Sequence, residues 1–389
     1  MGICLPDETL QEAGAIPPGR RGSSQLSLFD EGEGDIAESL GDSPTGEVRR
    51  LVAARDDLKP LYVVGNGLAI GKSGEVLTIK ERGKKVDEVR MGEVSQVAIF
   101  GNNQLTAAAL NQLCRADIPV AHFSFGGWFY GLTQGLGLKN VFLRRAQFRA
   151  ADDPEFCLHV ARALVRSKIR NQRTLLKRNH ETPPKEALAA LNWRANEAGR
   201  ATSLQSLLGI EGNAARTYFG SFQGMLKVGN ETGTFDFRHR NRRPPRDPVN
   251  ALLSLAYSLL SRDLTVAAAS VGFDLFLGFF HQPRFGRPAL ALDLMEELRP
   301  LIADSAVLNA VNTRMVSASD FIRVGDAVAL KPAGRKALIR AYENRIDTLV
   351  THPTFGYRVS YRRIMEIQTR LLARVLQGEI GGYRGFETR

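Results

Sequence analysis

The pattern of apolar and polar positions changes character twice along the chain. Before about Leu61, large apolar residues are too sparse to build a core, apart from one island, QLSLFD, at Gln25–Asp30. From Leu61 onward the runs LYVVG, EVLTIK, KVDEVR and QVAIFG alternate with Gly, Lys and Asn turns and predict short strands. NQLTAAALNQLCRAD predicts a helix with Leu105, Ala109, Leu110 and Leu113 on one face. IPVAHFS and WFYGL, joined around Gly126–Gly127, predict a further hairpin. After Asp152 the period becomes 3.6, and helices are expected roughly over 154–178, 185–225, 247–262, 264–279, 288–312, 319–325, 334–350 and 357–378. Pro183-Pro184 and RNRRPPRDP interrupt the series. The expected fold class is α+β. A β-rich domain over 58–145 precedes a larger all-helical domain over 152–389, and residues 1–50 form a disordered acidic linker.

Charge sharpens this picture. The net charge of +11 is unevenly spread: residues 1–50 carry ten acids against four Lys/Arg, a net of −6, which leaves +17 on the remaining 339 residues. A basic body of that size suits a polyanion, because neutralised phosphates release condensed counterions. The three cysteines, Cys4, Cys114 and Cys157, form no CxxC pair, which argues against a disulfide framework or a self-contained zinc site and for a reducing cytoplasm. No run approaches about eighteen uninterrupted apolar residues, so no membrane partner is expected. The QLSLFD island resembles the short peptide with which bacterial proteins dock on the DNA-polymerase sliding clamp, Gln25, Leu28 and Phe29 carrying the likeness.

Two basic clusters are candidates for DNA contact. ARALVRSKIRNQRTLLKR spaces Arg162, Arg166, Arg170, Arg173 and Lys177 along one helix face, and Lys168 is counted with them. RHRNRRPPRDP holds further arginines, including Arg242 and Arg243, in a segment that prolines keep non-helical. Asp247 and Pro248 then suit an N-cap and first helical position, and Asn250, Ser254 and Tyr257 share one face of the apolar helix that follows.

The candidate chemistry lies in three separate places. Glu211 falls in the middle of the apolar stripe of SLLGIEGNAARTYFGSF, where a buried carboxylate needs a cation. That cation could be a metal or an internal arginine, with Arg216 and Arg238 as candidates. Gly209 and Gly212 would let a ligand or another backbone approach. His281 follows Phe279-Phe280 at the end of an apolar stretch. Asp293, Glu296 and Glu297 lie opposite the apolar face of a helix beginning at Pro288, the place of solvated surface acids if considered alone. Should the three places converge, their mixed oxygen and nitrogen donors suit Mn²⁺ or Mg²⁺ and phosphodiester chemistry. The alternative is a non-catalytic basic DNA-binding scaffold.

Four stretches, RSKIRNQRTLL, GIEGNAARTYF, RNRRPPRDPVNALLSLAYSLL and GFFH with GRPALALDLMEELRP, resemble the CRISPR-associated endonuclease/integrase family, the universal adaptation proteins, from about Leu61 to the C-terminus. The resemblance implies that Glu211, His281 and Glu296 bind a divalent metal, that Asp293 is an acidic position beside it, and that Arg299 is a basic position near DNA. It implies dimers formed through the β domains, two of them flanking a small ferredoxin-like partner and holding a prespacer duplex. The prespacer 3′-hydroxyls would attack CRISPR-repeat phosphodiesters by metal-assisted transesterification, and branched DNA would be cut. GICLPDE looks like the end of a RecB-like CRISPR nuclease with an iron–sulfur cluster; Cys4 alone cannot form that cluster, so a fused or associated nuclease is an expected partner.

Overall fold

Short β-branched and aromatic runs become strands wherever both faces can be covered. The computed structural model describes residues 58–135, 140–227, 235–241 and 244–388. The expected linker, the Gln25, Leu28 and Phe29 peptide, and Arg242 and Arg243 lie outside the described residues.

In chain order the first elements are β1 (Lys59–Val64), β2 (Leu68–Ser73), β3 (Val76–Glu81), β4 (Lys84–Arg90), β5 (Val94–Phe100), β6 (Gln104–Leu105), α1 (Ala107–Arg115), β7 (Val120–Phe123) and β8 (Phe129–Thr133). One sheet has the order β1-β5-β7-β8, parallel except for β8; the other has the order β4-β3-β2-β6. Successive residues of β5 serve different cores. Val97 and Ile99 pack with Ile70, Leu77 and Leu113 inside the β region, whereas Ala98 and Phe100 belong to the large helical core. That double burial explains why β5 ends in four consecutive apolar residues, Val97–Phe100.

The helical part follows as α2 (Val141–Ala151), α3 (Pro154–Asn179), α4 (Lys185–Ala198), α5 (Leu204–Gly220), α6 (Pro248–Val271), α7 (Ala289–Met295) and α8 (Ser305–Asn312). It continues with β9 (Phe321–Val324), β10 (Ala327–Leu330), α9 (Pro332–Ile346), β11 (Leu349–Thr351), β12 (Arg358–Ser360) and α10 (Tyr361–Leu376). The α+β class therefore holds, but the second part is not all-helical: β9–β10 and β11–β12 are antiparallel hairpins within it. The helix expected over 319–325 is strand β9, and β2 and α2 were not anticipated. The single helix expected over 185–225 ends near Gly199 and restarts at α5, with the Ser203 hydroxyl accepting from the Ser206 amide as N-cap.

Two helices expected over 247–262 and 264–279 are one, α6. The charged pair Arg262-Asp263 between the two expected ranges is buried. Arg262 donates to Asp263 (Nε–Oδ1 2.8 Å) and to the Tyr62 hydroxyl (2.8 Å), while Asp263 also accepts from Gln96 (2.8 Å) and Tyr342 (2.7 Å). The pair thus joins β1, β5, α6 and α9. Helix α6 is long and apolar enough to cross a membrane by composition, yet 72% of its most apolar window is buried inside the protein. Removing one partner of a buried pair strands the other charge, so Arg262→Leu should lower stability by roughly 3–5 kcal/mol. Urea denaturation with circular dichroism measures it; a loss below about 1 kcal/mol would mean that the pair contributes little.

Candidate metal centre

Helix α3 starts on Asp153, whose carboxylate accepts from the Glu155 and Phe156 amides, with Pro154 at the first turn. One face of α3 is inside the core through Leu164, Val165, Ile169 and Leu176. Lys168 lies on that side, one turn after Leu164, and is only 6% exposed. Its ammonium sits between two carboxylates, paired with Glu211 Oε1 of α5 and, at 2.6 Å, with Glu296 Oε2.

Glu211 is placed by the buried ridge Leu207, Ile210, Ala214 and Tyr218 of α5. Its expected arginine partners are not used: Arg216 and Arg238 are exposed, and Lys168 pairs with it instead. A side chain at Gly209 or Gly212 would meet open space, so neither glycine serves the close approach of another backbone.

The chain leaves α-helical geometry after Met295, passes through a turn, and continues as a π-helical stretch, Arg299–Asp304, before α8. Pro300 has no N–H to give to the helical ladder, which suits this break. The straight-helix expectation over 288–312 therefore fails, and with it the idea of a solvated acidic face. Asp293, Glu296 and Glu297 are 0%, 2% and 0% exposed.

Each acid has its own task. Asp293 accepts from the backbone amides of Phe279 (2.6 Å), Phe280 (3.0 Å) and His281 (2.8 Å) and from His281 Nδ1 (2.7 Å). Gly278 is needed beside it, since a Cβ there would lie 2.7 Å from Asp293 Oδ2. With Nδ1 on Asp293, His281 turns Nε2 toward Glu296, 3.7 Å from Oε1. Burial alone would push the Glu296 carboxyl up, but the Arg299 guanidinium, the Lys168 ammonium and His281 hold it down at about 2. Arg299 NH2 is 2.8 Å from Glu296 Oε1 and lies over the Tyr257 ring, whose other flank is near Arg240.

Glu297 points away from this cluster and holds the C-terminal segment. It accepts from Tyr383 (2.7 Å), Gln368 (3.0 Å) and the Phe386 amide (2.7 Å), and burial pushes its carboxyl up to about 7 against these donors. Asn171 binds the Phe386 carbonyl and the Thr388 amide from α3. Asp304 ties the centre together from behind by accepting from Tyr218 of α5 (2.8 Å) and Tyr257 of α6 (2.7 Å).

The expected DNA-facing residues divide. Arg166 and Lys177 are exposed. Arg162, Arg173 and Arg170 each reach inward, to the Ala201 carbonyl (2.6 Å), the Leu188 carbonyl (3.1 Å) and the Glu387 carboxylate (2.7 Å). Lys168 and Asn250 are corrections. Lys168 is inside the acidic centre, and Asn250, fully buried, braces the preceding loop through Arg240, Asn241, His239 and Asp247.

Among the described residues, no three His, Cys, Asp or Glu side chains are arranged to hold a metal as they stand. The Lys168 ammonium occupies the space between Glu211 and Glu296. The donor chemistry nevertheless fits a hard or borderline divalent ion: two carboxylates flank one cation position, His281 Nε2 lies 3.7 Å from one of them, and the imidazole carries an outer carboxylate. Lys168, Asp304 and the Glu297 clasp were missed from sequence; the one available signal was the wheel position of Lys168 among Leu164, Val165 and Gln172.

The fold and site define a class: an α+β protein whose helical part gathers two carboxylates around one cation, with an imidazole beside them. The chain belongs to a particular family of that kind, since the family described as CRISPR associated protein Cas1 matches residues 61–344. The Cas4 exonuclease/Cas1 endonuclease fusion of Geobacter sulfurreducens is 46% identical over 396 residues, covering 100% of this chain and 66% of the relative. The corresponding fusion of Rhodospirillum rubrum is 45% identical, covering 83% of this chain and 57% of the relative. This chain thus spans two thirds or less of those fusions. A Cas1 endonuclease of Thermus thermophilus is 37% identical over 334 residues, 85% of this chain and 97% of the relative. Among solved structures, a Cas6-RT-Cas1–Cas2 complex matches with TM-score 0.73 and 26% identity over 86% of this chain and 37% of that one. A casposase bound to integration product shares the fold, with TM-score 0.73 and 24% identity over 84% of this chain and 93% of that one.

Burial raises the Asp304 carboxyl to about 6, despite the hydroxyls of Tyr257 and Tyr218 and the nearby Arg240 and Arg299. The folded state therefore keeps this proton to higher pH than the unfolded chain. The resulting stabilisation is full below the unfolded value and is lost as pH rises through about 6. Wild type should lose about 2 kcal/mol relative to Asp304→Asn between pH ~4 and ~6, measured by urea melts. A difference independent of pH would contradict this.

Proposed function

We propose that this chain is the integrase component of CRISPR adaptation, a divalent-metal-dependent DNA endonuclease/integrase that joins prespacer 3′-hydroxyls to repeat phosphodiesters by transesterification. The observation that carries the proposal is that Glu211 and Glu296 meet on one cation position, with His281 Nε2 3.7 Å from Glu296, in a chain of the Cas1 family. Glu211, Glu296 and His281 Nε2 would hold Mn²⁺ or Mg²⁺. Bound there, the metal would polarise a phosphoryl oxygen and lower the pKa of the attacking hydroxyl.

The chain's own residues do the rest. Asp293 holds the imidazole by Nδ1 and so aims Nε2 toward Glu296. Arg299 keeps Glu296 ionised and adds positive charge where a phosphodiester would develop negative charge. Exposed Arg166 and Lys177 on α3 would contact the DNA backbone.

The partners follow from the same reading: a second copy through the β region, a small ferredoxin-like adaptation protein, and the RecB-like nuclease found fused in the relatives named above. The Gln25, Leu28 and Phe29 peptide would dock on the sliding clamp. Cys114 and Cys157 are free thiols, compatible with a reducing cytoplasm.

The test offers the protein and its small partner a duplex with 3′-hydroxyl overhangs and a supercoiled plasmid bearing a repeat. Joining should occur with Mn²⁺ or Mg²⁺, stop with EDTA, and fall at least about 100-fold in Glu211→Ala and His281→Ala while duplex affinity is retained. A non-catalytic scaffold would bind the duplex yet join nothing with any divalent metal. Joining by His281→Ala at the wild-type rate would overturn the proposal.

A further inference from the structure

Among the described residues Lys168 is the one buried lysine, and it is buried against the two carboxylates that the proposed reaction assigns to a metal. The charge balance of this cluster has a consequence. Lys168 and Arg299 together neutralise Glu211 and Glu296. Even with the Asp293 carboxylate behind His281 counted, a divalent ion entering this largely buried cluster would leave it with excess positive charge, an arrangement that low-dielectric surroundings oppose. One internal cation must withdraw or a new anion must arrive.

Arg299 is the poorer candidate to leave. Its planar head is held by Glu296 on one side and lies 5.2 Å from the Tyr257 ring centre, in the layer that Asp304 braces. Lys168 has a compact charge on a flexible four-carbon stem and is held by the two carboxylates. Glu211 is also the more open of those two, with 22% of its side chain exposed against 3% for Glu296, so the way out for the ammonium lies past Glu211.

Resting on the metal-site reading above, we infer that Lys168 is an internal stand-in for the metal: its ammonium closes the empty centre, competes with the divalent ion, and on displacement moves past Glu211 toward the side from which a phosphodiester approaches. The ammonium keeps two buried carboxylates from repelling each other while no metal is bound. It also weakens metal binding until an anion compensates the added charge. DNA phosphate supplies that anion, so metal and DNA should each strengthen the binding of the other in wild type. Lys168 is a positioning residue in this account.

The first experiment titrates Mn²⁺ into wild type, Lys168→Met and His281→Ala without DNA, following free Mn²⁺ by electron paramagnetic resonance, and records the metal-free melting temperature of each. Lys168→Met should bind Mn²⁺ about tenfold tighter or more, because the closed state no longer competes, and should melt lower than wild type when metal-free. Equal or weaker Mn²⁺ affinity in a folded Lys168→Met protein overturns the inference. If wild type and Lys168→Met bind alike, with binding lost in His281→Ala, the metal centre stands and only the stand-in role fails. No His281-dependent Mn²⁺ binding in either protein overturns both readings.

The second experiment needs no substitution at position 168. Wild type is treated with an amine-reactive acylating reagent and digested, and Lys168 modification is read by mass spectrometry with and without saturating Mn²⁺. Modification of Lys168 should rise several-fold with Mn²⁺ while that of exposed Lys177 stays unchanged. Unchanged protection of Lys168 with Mn²⁺ bound overturns the inference.

Discussion

Two ionised carboxylates from distant segments cannot share a largely buried pocket without a cation between them. In this protein Lys168 supplies it, with Glu211 on one side and Glu296 on the other. That constraint shapes much of the surrounding architecture. Helix α3 must bring a charged side chain to its core face, α5 must carry a carboxylate inside an apolar ridge, and the chain after α7 must leave helical geometry. Bare repulsion between the acids would open the site, whereas the ammonium and the Arg299 guanidinium hold it closed with Glu296 fully ionised.

Three further carboxylates fix the segments that carry these groups. Asp293 gathers four donors from the Phe279–His281 turn and so sets both the position and the tautomer of the imidazole. Asp304 links α5 to α6 through two tyrosine hydroxyls. Glu297, adjacent to Glu296 but facing the opposite way, anchors the C-terminal segment, which Asn171 binds from the same helix that carries Lys168. Neighbouring residues of one turn thus connect the centre to the end of the chain. The β region is joined to the helices by a similar device, the buried Arg262-Asp263 pair with Tyr62 and Tyr342.

The parts of this arrangement that were legible from sequence are those with a local signature. A carboxylate in the middle of an apolar stripe marked Glu211, and an imidazole beside two phenylalanines marked His281. Strands β1, β3, β4 and β5 and helix α3 followed from period alone. The failures share a cause: burial imposed by distant chain. Asp293, Glu296 and Glu297 looked solvated because a straight helix was assumed through Pro300, and because Tyr383 and Phe386, which bury Glu297, lie 86 and 89 positions away. Helix α6 was divided in two at Arg262-Asp263, whose burial depends on the remote Tyr62 and Tyr342. Lys168 was grouped with surface cations by residue type, although its wheel position placed it with the core. Asn250 was assigned to DNA for its polarity, but its amide is fully used in bracing the loop before α6.

The most direct measurement is anomalous X-ray diffraction from crystals of the protein soaked in Mn²⁺. The account expects one manganese peak bonded to His281 Nε2 and to carboxylate oxygens of both Glu211 and Glu296, with the Lys168 ammonium moved out of the space between them. Manganese bound elsewhere, or an ammonium still bridging the two carboxylates at full metal occupancy, would contradict it.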